Sequence, residues 1–441
     1  MIRTIRRFDI FMAKEHYIVG VDVGTNSVRV VQAKVDLSRT AAESGQQSGG
    51  LSVIGASEVP SLGLRRGVIV DIEEAVSSIS SALEKVERMT GVPVSVANVS
   101  ISGNHISSLS SHGVIAISRA DGEITENDIV RCVDASQAIS IPQNKEVIHV
   151  FPKTFSLDGQ TGIKDPLGMS GIRLEVDTII VQAGLPFVRN LNRAVLQAGL
   201  EVDELILAPC AAAESVLNKR QKDLGVCLVD LGAGTTSMAV YEEGDLLHTT
   251  VLPIGQMHIT NDIAIGLRCS IETAEKVKLH FGHANPKAVD RDEEIDLSKF
   301  DSSEEQSTAR GYLVEIIEAR LEEIFNMVNN ELKKIHRDGK LPSGVVLTGG
   351  GSKLEGVVEF SKKYLRLPSV LGMPQNASAI IDRVNDPSFA TAVGLVMWGG
   401  KYSNPTGNAQ SASRRIGGAV KNMLSNQSVA KLKKWFKSFL P

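Results

Sequence analysis

Two segments of the chain carry the same spacing of aspartate, glycine and hydroxyl residues between apolar runs. Residues 18–30 read IVGVDVGTNSVRV, and residues 226–240 read VCLVDLGAGTTSMAV. In each segment an aspartate ends a strand-like run, a glycine follows two positions later, and Ser or Thr precedes a second β-branched run. This order predicts a β-hairpin closed by a polar turn. Such a turn can bind an anion, and the aspartate beside it can contact a cation.

The two polar turns supply groups that suit phosphate. Glycine lets backbone N–H groups approach an anionic oxygen that a side chain would block. The residues predicted to bind phosphate, through backbone N–H groups or side-chain donors, are Gly24, Thr25, Asn26 and Ser27 in the first polar turn, and Gly232, Thr235 and Thr236 in the second polar turn. Asp22 and Asp230 are predicted to face one cleft, where a hydrated Mg²⁺ on the phosphates needs hard oxygen ligands. One Asp-x-Gly turn ends many ordinary hairpins, so the prediction depends on the pair.

Two further segments could contact a ligand. Residues 345–354 (VVLTGGGSKL) read as a strand, a bare loop and a helix from about Lys353, and such a loop lets a ligand lie against the backbone. The glycine loop, as we name it, consists of Gly349, Gly350, Gly351 and Ser352. Glu275 and Lys278 share one face of a predicted helix. A tight strand-to-helix turn and a solvated helix face are the alternative interpretations of these two segments.

The composition limits the class of protein. A chain of 441 residues is long enough for two or three domains. Its net charge of −4 argues against a surface shaped as a whole for nucleic acid. The cysteines are Cys132, Cys210, Cys227 and Cys269. They form no CxxC pair, so neither a zinc site nor a disulfide framework is predicted, and a reducing cytosol fits best. No apolar run reaches the roughly 18–20 residues of a membrane-spanning helix.

Strand-like and helix-like segments alternate along most of the chain, which predicts an α/β architecture. The two hairpins indicate two similar domains that face each other across a cleft. Three stretches interrupt the alternation: a polar loop at 38–50, an acidic loop at 285–307 before a long helix from about Thr308 to His336, and a Ser- and Asn-rich linker at 402–428. Ala390, Ala392 and Gly394 suit a tightly packed helix crossing.

The two ends of the chain differ from its body. Residues 1–15 read as an extension without a signal peptide, and Met12 is an alternative start. At the other end, one face of a predicted helix is apolar: Val429, Leu432, Trp435, Phe436 and Phe439. The remaining surface is basic and contains no acid: Lys431, Lys433, Lys434 and Lys437. A basic amphipathic helix with aromatic residues is typical of binding to anionic membrane lipids. Docking on the protein's own core or on a partner protein is the alternative.

In this order the motifs resemble those of the actin, heat-shock-70 and sugar-kinase superfamily. Within it the chain resembles the FtsA family of bacterial cell-division proteins, from about residue 16 to residue 398. The most specific stretches are VANVSISGNHI at 96–106, GIKDPLGMSG at 162–171 and PIGQMHITNDIAIG at 253–266. The resemblance implies an α/β, actin-like (ribonuclease-H-like) fold of two domains with a nucleotide cleft. It also implies an inserted small α+β domain and a C-terminal amphipathic helix on a flexible linker.

The resemblance also implies a division of the chain into segments. The first actin-like domain is expected at 16–95 and 175–208, and the inserted domain at 96–174. The second actin-like domain is expected at 209–258 and 339–400, with a smaller subdomain at 259–338. The N-terminal extension, linker and membrane-binding helix take 1–15, 401–428 and 429–441.

By the same resemblance the cleft binds ATP with Mg²⁺. Gly24 to Ser27 form one phosphate loop, and the other consists of Gly232, Gly234, Thr235 and Thr236. Asp22 and Asp230 hold the Mg²⁺ through water, and the glycine loop holds the adenosine. Glu275 and Lys278 reach the ribose or base.

Departures from the family pattern bear on hydrolysis. Ala233 replaces a usual glycine, Ser237 a common aspartate and Gln256 a common glycine. The segment LILAPCAAAE at 205–214 lacks the carboxylate that related ATPases place before the proline to orient water. Hydrolysis is therefore expected to be slow or absent, and Glu214 is a weak candidate for a substitute base.

The function implied by the resemblance is structural. The chain is expected to bind ATP, to self-associate, and to tie rings of the tubulin-like protein FtsZ to the cytoplasmic face of the cell membrane at the division septum. Recruitment of later division proteins is implied by the family alone. A small-molecule kinase of the same fold is an alternative, but no clear carboxylate base is found for it. A pilus-assembly ATP-binding protein is another alternative, and it is expected to lack the basic tail.

Overall fold

A computed structural model describes residues 16–35, 51–138, 141–304, 306–375, 378–379 and 382–402. The predicted extension at 1–15, the loop at 38–50, nearly all of the linker and the amphipathic helix at 429–441 lie outside the described residues. Within the described ranges the α-helices are α1 (Ile72–Thr90), α2 (Glu126–Ser136), α3 (Leu185–Gln197), α4 (Ala208–Val216), α5 (Lys219–Leu224), α6 (Gln256–Leu267), α7 (Ile271–Phe281), α8 (Arg310–Lys334), α9 (Val357–Leu365) and α10 (Ala390–Tyr402). None of these helices is both long enough and apolar enough to cross a bilayer.

The described strands form five sheets. In chain order they are β1 (His16–Val23), β2 (Ser27–Val35), β3 (Leu51–Pro60), β4 (Leu64–Arg65), β5 (Val68–Ile69), β6 (Val96–Ile101), β7 (Ser107–Ala116), β8 (Lys145–Leu157), β9 (Gln160–Ile163), β10 (Arg173–Gly184), β11 (Glu201–Leu207), β12 (Val226–Leu231), β13 (Thr236–Glu242), β14 (Asp245–Leu252), β15 (Glu294–Asp296), β16 (Ser307–Ala309), β17 (Val345–Thr348), β18 (Ser369–Leu371) and β19 (Ser378–Ala379).

Two of the sheets repeat one topology. The first sheet has the strand order β11-β6-β1-β2-β3-β19, and the second has the order β14-β13-β12-β17-β18. In both, a central antiparallel hairpin (β1–β2 or β12–β13) pairs in parallel with a later strand, β6 or β17. The expected pair of similar α/β domains is therefore present, and both predicted hairpins are confirmed.

The hairpins form because their strands are rich in β-branched residues with buried faces. Val21, Val28 and Val30 in the first hairpin are fully buried, as are Val229 and Val240 in the second. Burial on both faces reflects cover by helices on either side of each sheet. Each polar turn therefore projects from the end of a rigid, buried hairpin.

Helices α4 and α10 cross between the two domains at very close range. A Cβ on Gly394 would overlap the carbonyl oxygen of Ala211, and Ser215 Oγ donates a hydrogen bond to the Ala390 carbonyl at 2.6 Å. α10 also packs on β1, where a Cβ on Gly20 would lie 2.7 Å from the Ala392 carbonyl oxygen. The predicted tight crossing is confirmed.

The inserted domain has its own sheet, in the order β7-β10-β8-β9, with α2 packed on one face. Its core contains Ile129, Val133, Phe155 and Leu174. The strand β6, which was expected in this domain, instead pairs with β1 and β11 in the first sheet. The expected start at residue 96 is thus too early, because a buried strand pattern does not say which sheet the strand joins.

The second domain carries a helical layer of α6, α7 and α8. The predicted long helix is α8 (Arg310–Lys334). The acidic stretch before it contains the short hairpin β15–β16, since Ile295 and Leu297 are buried within that stretch. The helix after the glycine loop begins at Val357 and not near Lys353, because Gly356 has a left-handed φ of 79° and the chain first makes a 3-10 turn.

Candidate functional site

A cleft of about 630 Å³ brings together five segments that are distant in the sequence. It is lined by both polar turns, the glycine loop, one side of α7 and part of the segment 383–391. The predicted site residues that line it are Asp22, Gly24, Thr25, Asn26, Ser27, Asp230, Gly232, Thr235, Glu275, Lys278, Gly349, Gly350 and Gly351. Most of the residues selected from sequence therefore share one cavity.

Three predicted residues lie behind the cleft surface. A Cβ on Gly234 would lie 2.8 Å from Thr25 Oγ1, so this glycine lets the two polar turns touch. Thr236 is fully buried at the start of β13. Ser352 is also buried, and its hydroxyl donates to the Gly349 carbonyl at 2.7 Å, which closes the glycine loop. These residues shape the cleft but do not line it.

Glu214, the candidate base, does not line the cleft. Its carboxylate lies 2.8 Å from Lys222 Nζ and 3.4 Å from Lys401 Nζ. Burial raises the pKa of Glu214, but the charges of the two lysines outweigh this and lower it below its usual value. A carboxylate held by two ammonium groups outside the cleft cannot orient water there. The suggestion that Glu214 replaces the missing base is wrong.

Asp22 and Asp230 are half-buried residues that line the cleft, and their carboxylate charges interact. Burial raises the pKa of Asp22, while Arg29 and a 2.7 Å hydrogen bond from Ser100 Oγ partly lower it. Burial and the nearby charge of Asp22 raise the pKa of Asp230 to about 7. Thr391 Oγ1 offers Asp230 only a long contact of 3.5 Å. The pair lacks sufficient positive charge, which suits a divalent cation with oxygen ligands.

The second polar turn is held from behind by the first residues of α6. The Gln256 backbone N–H donates to the Gly232 carbonyl at 3.0 Å, and that of Met257 donates to the Ala233 carbonyl at 2.8 Å. Gly255 fits here because a Cβ would overlap the Gly232 carbonyl oxygen. These bonds occupy carbonyl oxygens that would otherwise repel an anion.

The first polar turn is held differently. The Ser61 backbone N–H donates to the Asn26 carbonyl at 3.0 Å. The Gly67 N–H, from the β4–β5 hairpin, donates to Thr25 Oγ1 at 2.9 Å. The first turn is therefore held by a loop and a short hairpin, whereas the second turn is held by the start of a helix.

The glycine loop approaches the second turn closely. Gly349 has a φ of 81°, and a Cβ there would overlap Asp230 Oδ1. A Cβ on Gly350 would have no neighbour within 4 Å, so this residue opens onto the cleft. A Cβ on Gly351 would overlap Gln256 Cγ. The loop thus requires glycine at Gly349 for conformation and space, and at Gly351 for space alone.

Glu275 and Lys278 do share one face of α7. Lys278 Nζ lies 2.6 Å from Glu275 Oε2 and donates to Thr260 Oγ1 at 2.7 Å. Burial lowers the pKa of Lys278, although the charge of Glu275 opposes that shift. The pair places one cation and one carboxylate at the edge of the cleft.

A charged network that was not predicted from the sequence also lines the cleft. Arg29 Nη2 lies 2.7 Å from Glu58 Oε1, and Arg383 Nη2 lies 3.3 Å from Glu58 Oε2. The Arg29 guanidinium also stacks over the Phe389 ring at 5.6 Å. One signal was available: hairpin register places Arg29 opposite Asp22. Nothing local in the sequence indicates that Glu58 or Arg383 reaches this position.

The arrangement has the donors that a polyphosphate with a divalent cation requires. Both turns combine glycine with hydroxyl side chains, and the two aspartates lie between them. The buried nitrogen donors Arg29 Nε and Gln256 Nε2 belong to cleft-lining residues and have no hydrogen-bond partner among the described residues. A ligand with several acceptor oxygens would satisfy such atoms.

Comparisons with known proteins agree with the fold. Residues 227–394 match the family model of cell division protein FtsA, and residues 103–182 match that of the SHS2 domain inserted in FtsA. A solved PilM-PilN type IV pilus biogenesis complex has a TM-score of 0.61 at 16% identity, covering 87% of this chain and 98% of that chain. MreB5 of Spiroplasma citri bound to ADP has a TM-score of 0.50 at 14% identity, covering 86% and 94%. The fold is actin-like with an inserted SHS2 domain.

The chain is more similar in sequence to the proteins of one family than to these solved structures. The chain is 40% identical over 382 residues to cell division protein FtsA of Pseudomonas aeruginosa, and the match covers 87% of this chain and 89% of that protein. Identity of this extent over nearly the whole length of both proteins establishes common family membership. The chain belongs to the FtsA family of cell division proteins.

Proposed function

We propose that this chain binds ATP with Mg²⁺ in the cleft and anchors a tubulin-like FtsZ polymer to the cytoplasmic face of the cell membrane at the septum. The observation that carries the nucleotide part is the pairing of two glycine-containing turns with Asp22 and Asp230 across one cavity. Family membership supports the role in division. ATP is the nucleotide expected from the actin-like fold.

The polar turns are proposed to bind the phosphates through their N–H groups and hydroxyls. Asp22 and Asp230 would hold the Mg²⁺ through its water ligands, and the cation would neutralise phosphate charge and both carboxylates. The open backbone at Gly350 suits contact with the adenosine. Lys278 and Glu275 would contact the ribose or base from the other side.

Hydrolysis is proposed to be slow, so that ATP acts mainly as an assembly ligand. A general base needs a carboxylate or imidazole free to accept a proton from water. Two carboxylates that line the cleft are engaged by cations, Glu58 by two arginines and Glu275 by Lys278, and Glu214 lies outside the cleft between two lysines. A small-molecule kinase would need such a base as well, and none of these three carboxylates is free to act as one.

The membrane part of the proposal depends on the sequence of the tail, which lies outside the described residues. Four lysines and no acid accompany the apolar face of the tail. Each lysine near an anionic surface contributes on the order of 1 kcal/mol, which together with the aromatic residues supports reversible binding. The proposed partners are anionic lipids, an FtsZ-like protein, further copies of this chain and later division proteins. A pilus-assembly protein shares the fold at low identity only.

Sedimentation with vesicles containing phosphatidylglycerol, with and without ATP and Mg²⁺, tests the anchor. The full chain is compared with a chain ending at Ser428 and with Trp435→Asp. Asn426→Asp adds the same negative charge in the linker and serves as the control. We expect the first two variants to stay in the supernatant while still binding ATP, and the control to sediment. Sedimentation of all variants would make the tail a core or partner helix.

A further inference from the structure

We propose that Gln256 binds the nucleotide directly, by donating a hydrogen bond from its side-chain Nε2 to an oxygen of the bound ligand. The contact would lie where the second polar turn meets the glycine loop. This inference rests on the proposal that the cleft binds ATP. It adds a residue that the turn motifs did not include.

The side chain of Gln256 carries an unsatisfied buried donor. Gln256 is only 8% exposed, and it lines the cleft. Its Nε2 has no hydrogen-bond partner among the described residues. A buried amide donor without a partner is destabilising, and nearly all such groups in folded proteins are satisfied by protein, water or ligand. A ligand bound in the cleft would supply the partner that the protein does not.

The side chain is also held in place from two sides. The Gln256 backbone N–H binds the Gly232 carbonyl, which ties the residue to the second polar turn. A Cβ on Gly351 would overlap Gln256 Cγ and lie 2.6 Å from Nε2. The side chain is therefore wedged between the second turn and the glycine loop, in a place that exists because residue 351 has no side chain.

The backbone at the start of α6 is already engaged at this point. The N–H groups of Gln256 and Met257 bind carbonyls of the turn, and that of His258 binds the Gly255 carbonyl at 3.0 Å. The helix N-terminus thus holds the turn by its backbone. The donor of Gln256 that remains without a partner is its side-chain Nε2.

The chemistry limits the acceptor. An amide nitrogen donates and does not accept, so its partner is an acceptor atom of the nucleotide, here a phosphate or ribose oxygen. The proximity to the glycine loop places that oxygen on the adenosine side of the phosphates. We therefore expect the contact to be common to ATP and ADP.

The test is calorimetric titration of the full chain with Mg²⁺-ATP and Mg²⁺-ADP. Gln256→Met keeps the length of the side chain and removes the donor, and Gln256→Glu replaces the donor by a charged acceptor. We expect about a tenfold loss of affinity for Met, and about a hundredfold loss for Glu, in both nucleotides. Gln160→Glu, an exposed position on β9, makes the same charge change and is expected to bind like the parent.

A melting experiment separates binding from folding. Without nucleotide, Gln256→Met is expected to melt at or above the temperature of the parent, because an unsatisfied buried donor has been removed. The rise in melting temperature on adding ADP is expected to shrink. A lower melting temperature with an unchanged rise would show a structural role and overturn the proposal.

The outcomes distinguish failure of the proposed function from failure of the inference. If the parent chain binds neither nucleotide, the proposed function fails. If the parent binds and both Gln256 variants bind equally well, the function stands and the inference fails. A loss confined to ATP would place the donor at the terminal phosphate and contradict a contact on the adenosine side.

A double substitution tests whether the side chain of Gln256 occupies the space beside Gly351. Gly351→Ala is expected to weaken ADP binding because the new methyl group overlaps Gln256. In a Gln256→Gly background the same change is expected to have a much smaller effect on affinity. An equal loss in both backgrounds would mean that the two residues do not share this space.

Discussion

The two polar turns close the same kind of hairpin but lie in different electrostatic surroundings. In the first hairpin Arg29 lies opposite Asp22, and Ser100 donates to that carboxylate at 2.7 Å. In the second hairpin Ser237 lies opposite Asp230, and the Thr391 hydroxyl is 3.5 Å from that carboxylate. The first aspartate is partly compensated by the protein, and the second is compensated much less.

The two repeated segments therefore share the shape of the hairpin but differ in charge at one paired position, which is Arg29 in the first and Ser237 in the second. The hairpins agree residue by residue in pairing, yet burial and Asp22 raise the pKa of Asp230 to about 7. A cation in the cleft would supply to the second half what Arg29 supplies to the first. A bound metal should therefore stabilise the second hairpin more than the first, because Asp230 has no arginine opposite it.

The largest effect is expected from a glycine that the first half does not need. In the second sheet, Thr348 pairs with Asp230 and is followed by Gly349. In the first sheet, Ser100 binds Asp22 and is followed by the buried Ile101, not by a glycine. We expect Gly349→Ala to lower the free energy of unfolding by about 4 kcal/mol, since it adds strain at positive φ and a clash with Asp230.

Urea denaturation measures this loss, and Gly350→Ala is the matched control in the same loop. A Cβ at Gly350 meets nothing within 4 Å, so a change below about 1 kcal/mol is expected. Equal losses for the two variants would contradict the close contact between the loop and Asp230.

The second prediction concerns the less compensated aspartate. A raised pKa means that the folded protein binds a proton more tightly than the unfolded chain, so stability falls as pH rises from about 4 to about 7. Asp230→Asn removes that loss. Without nucleotide we expect it to stabilise the fold by about 2–3 kcal/mol at pH 8, within an upper limit of about 4 kcal/mol, and to have no effect near pH 4.

Asp22→Asn is the comparison, and a smaller gain is expected because Ser100 and Arg29 already offset part of the cost. Thermal or urea unfolding at pH 4, 6 and 8 gives both curves. A gain in unfolding free energy for Asp230→Asn that does not change with pH would contradict the electrostatic explanation.

The third prediction is the pH dependence of Mg²⁺-ATP binding. Asp230 must lose its proton before it can hold the hydrated cation, and its pKa is about 7. The ratio of the affinities of the parent and Asp230→Asn is expected to rise about tenfold from pH 6 to pH 8 and then to level off. Using the ratio cancels the titration of ATP itself. A ratio that stays constant over this range would mean that Asp230 does not hold the metal.

The smallest predicted effects compare the two hydroxyl donors. Ser100→Ala removes the bond to Asp22 and the acceptor for the Val23 N–H, and is expected to cost about 1–2 kcal/mol at pH 8. Thr391→Ala removes a contact of 3.5 Å and is expected to cost less than about 0.5 kcal/mol. Denaturation of both variants side by side checks this order, and a reversed order would contradict the unequal compensation.

Much of the site could be predicted because its parts are local patterns. The aspartate, glycine and hydroxyl residues of each turn are consecutive, and strand alternation fixes where the turn begins. The glycine loop was visible for the same reason. The α/β class followed from the alternation of strand-like and helix-like segments, the actin-like fold followed from the family resemblance, and both predicted hairpins are present.

The remaining features depend on contacts that no local pattern encodes. Glu58 reaches Arg29 through the pairing of β2 with β3, and Arg383 reaches Glu58 from a segment 325 residues away. Glu214 failed as a base because it lies outside the cleft, where Lys222 and the distant Lys401 both bind it. Strand β6 reads like any buried strand, so its membership of the first sheet was not predictable.

The position of α10 has a consequence for how the protein is made. This helix, near the end of the described chain, packs through Ala392, Val393 and Val396 against Val31 and Val53 of the first sheet. Ribosomes synthesise the N-terminal sheet first, so one apolar face of that sheet stays uncovered until residues 390–402 emerge. The first domain cannot finish folding during synthesis of its own segments, and a truncation before residue 390 would leave one face of β1 and β2 without its helical cover. Newly made chains would therefore need protection from aggregation until residues 390–402 have emerged.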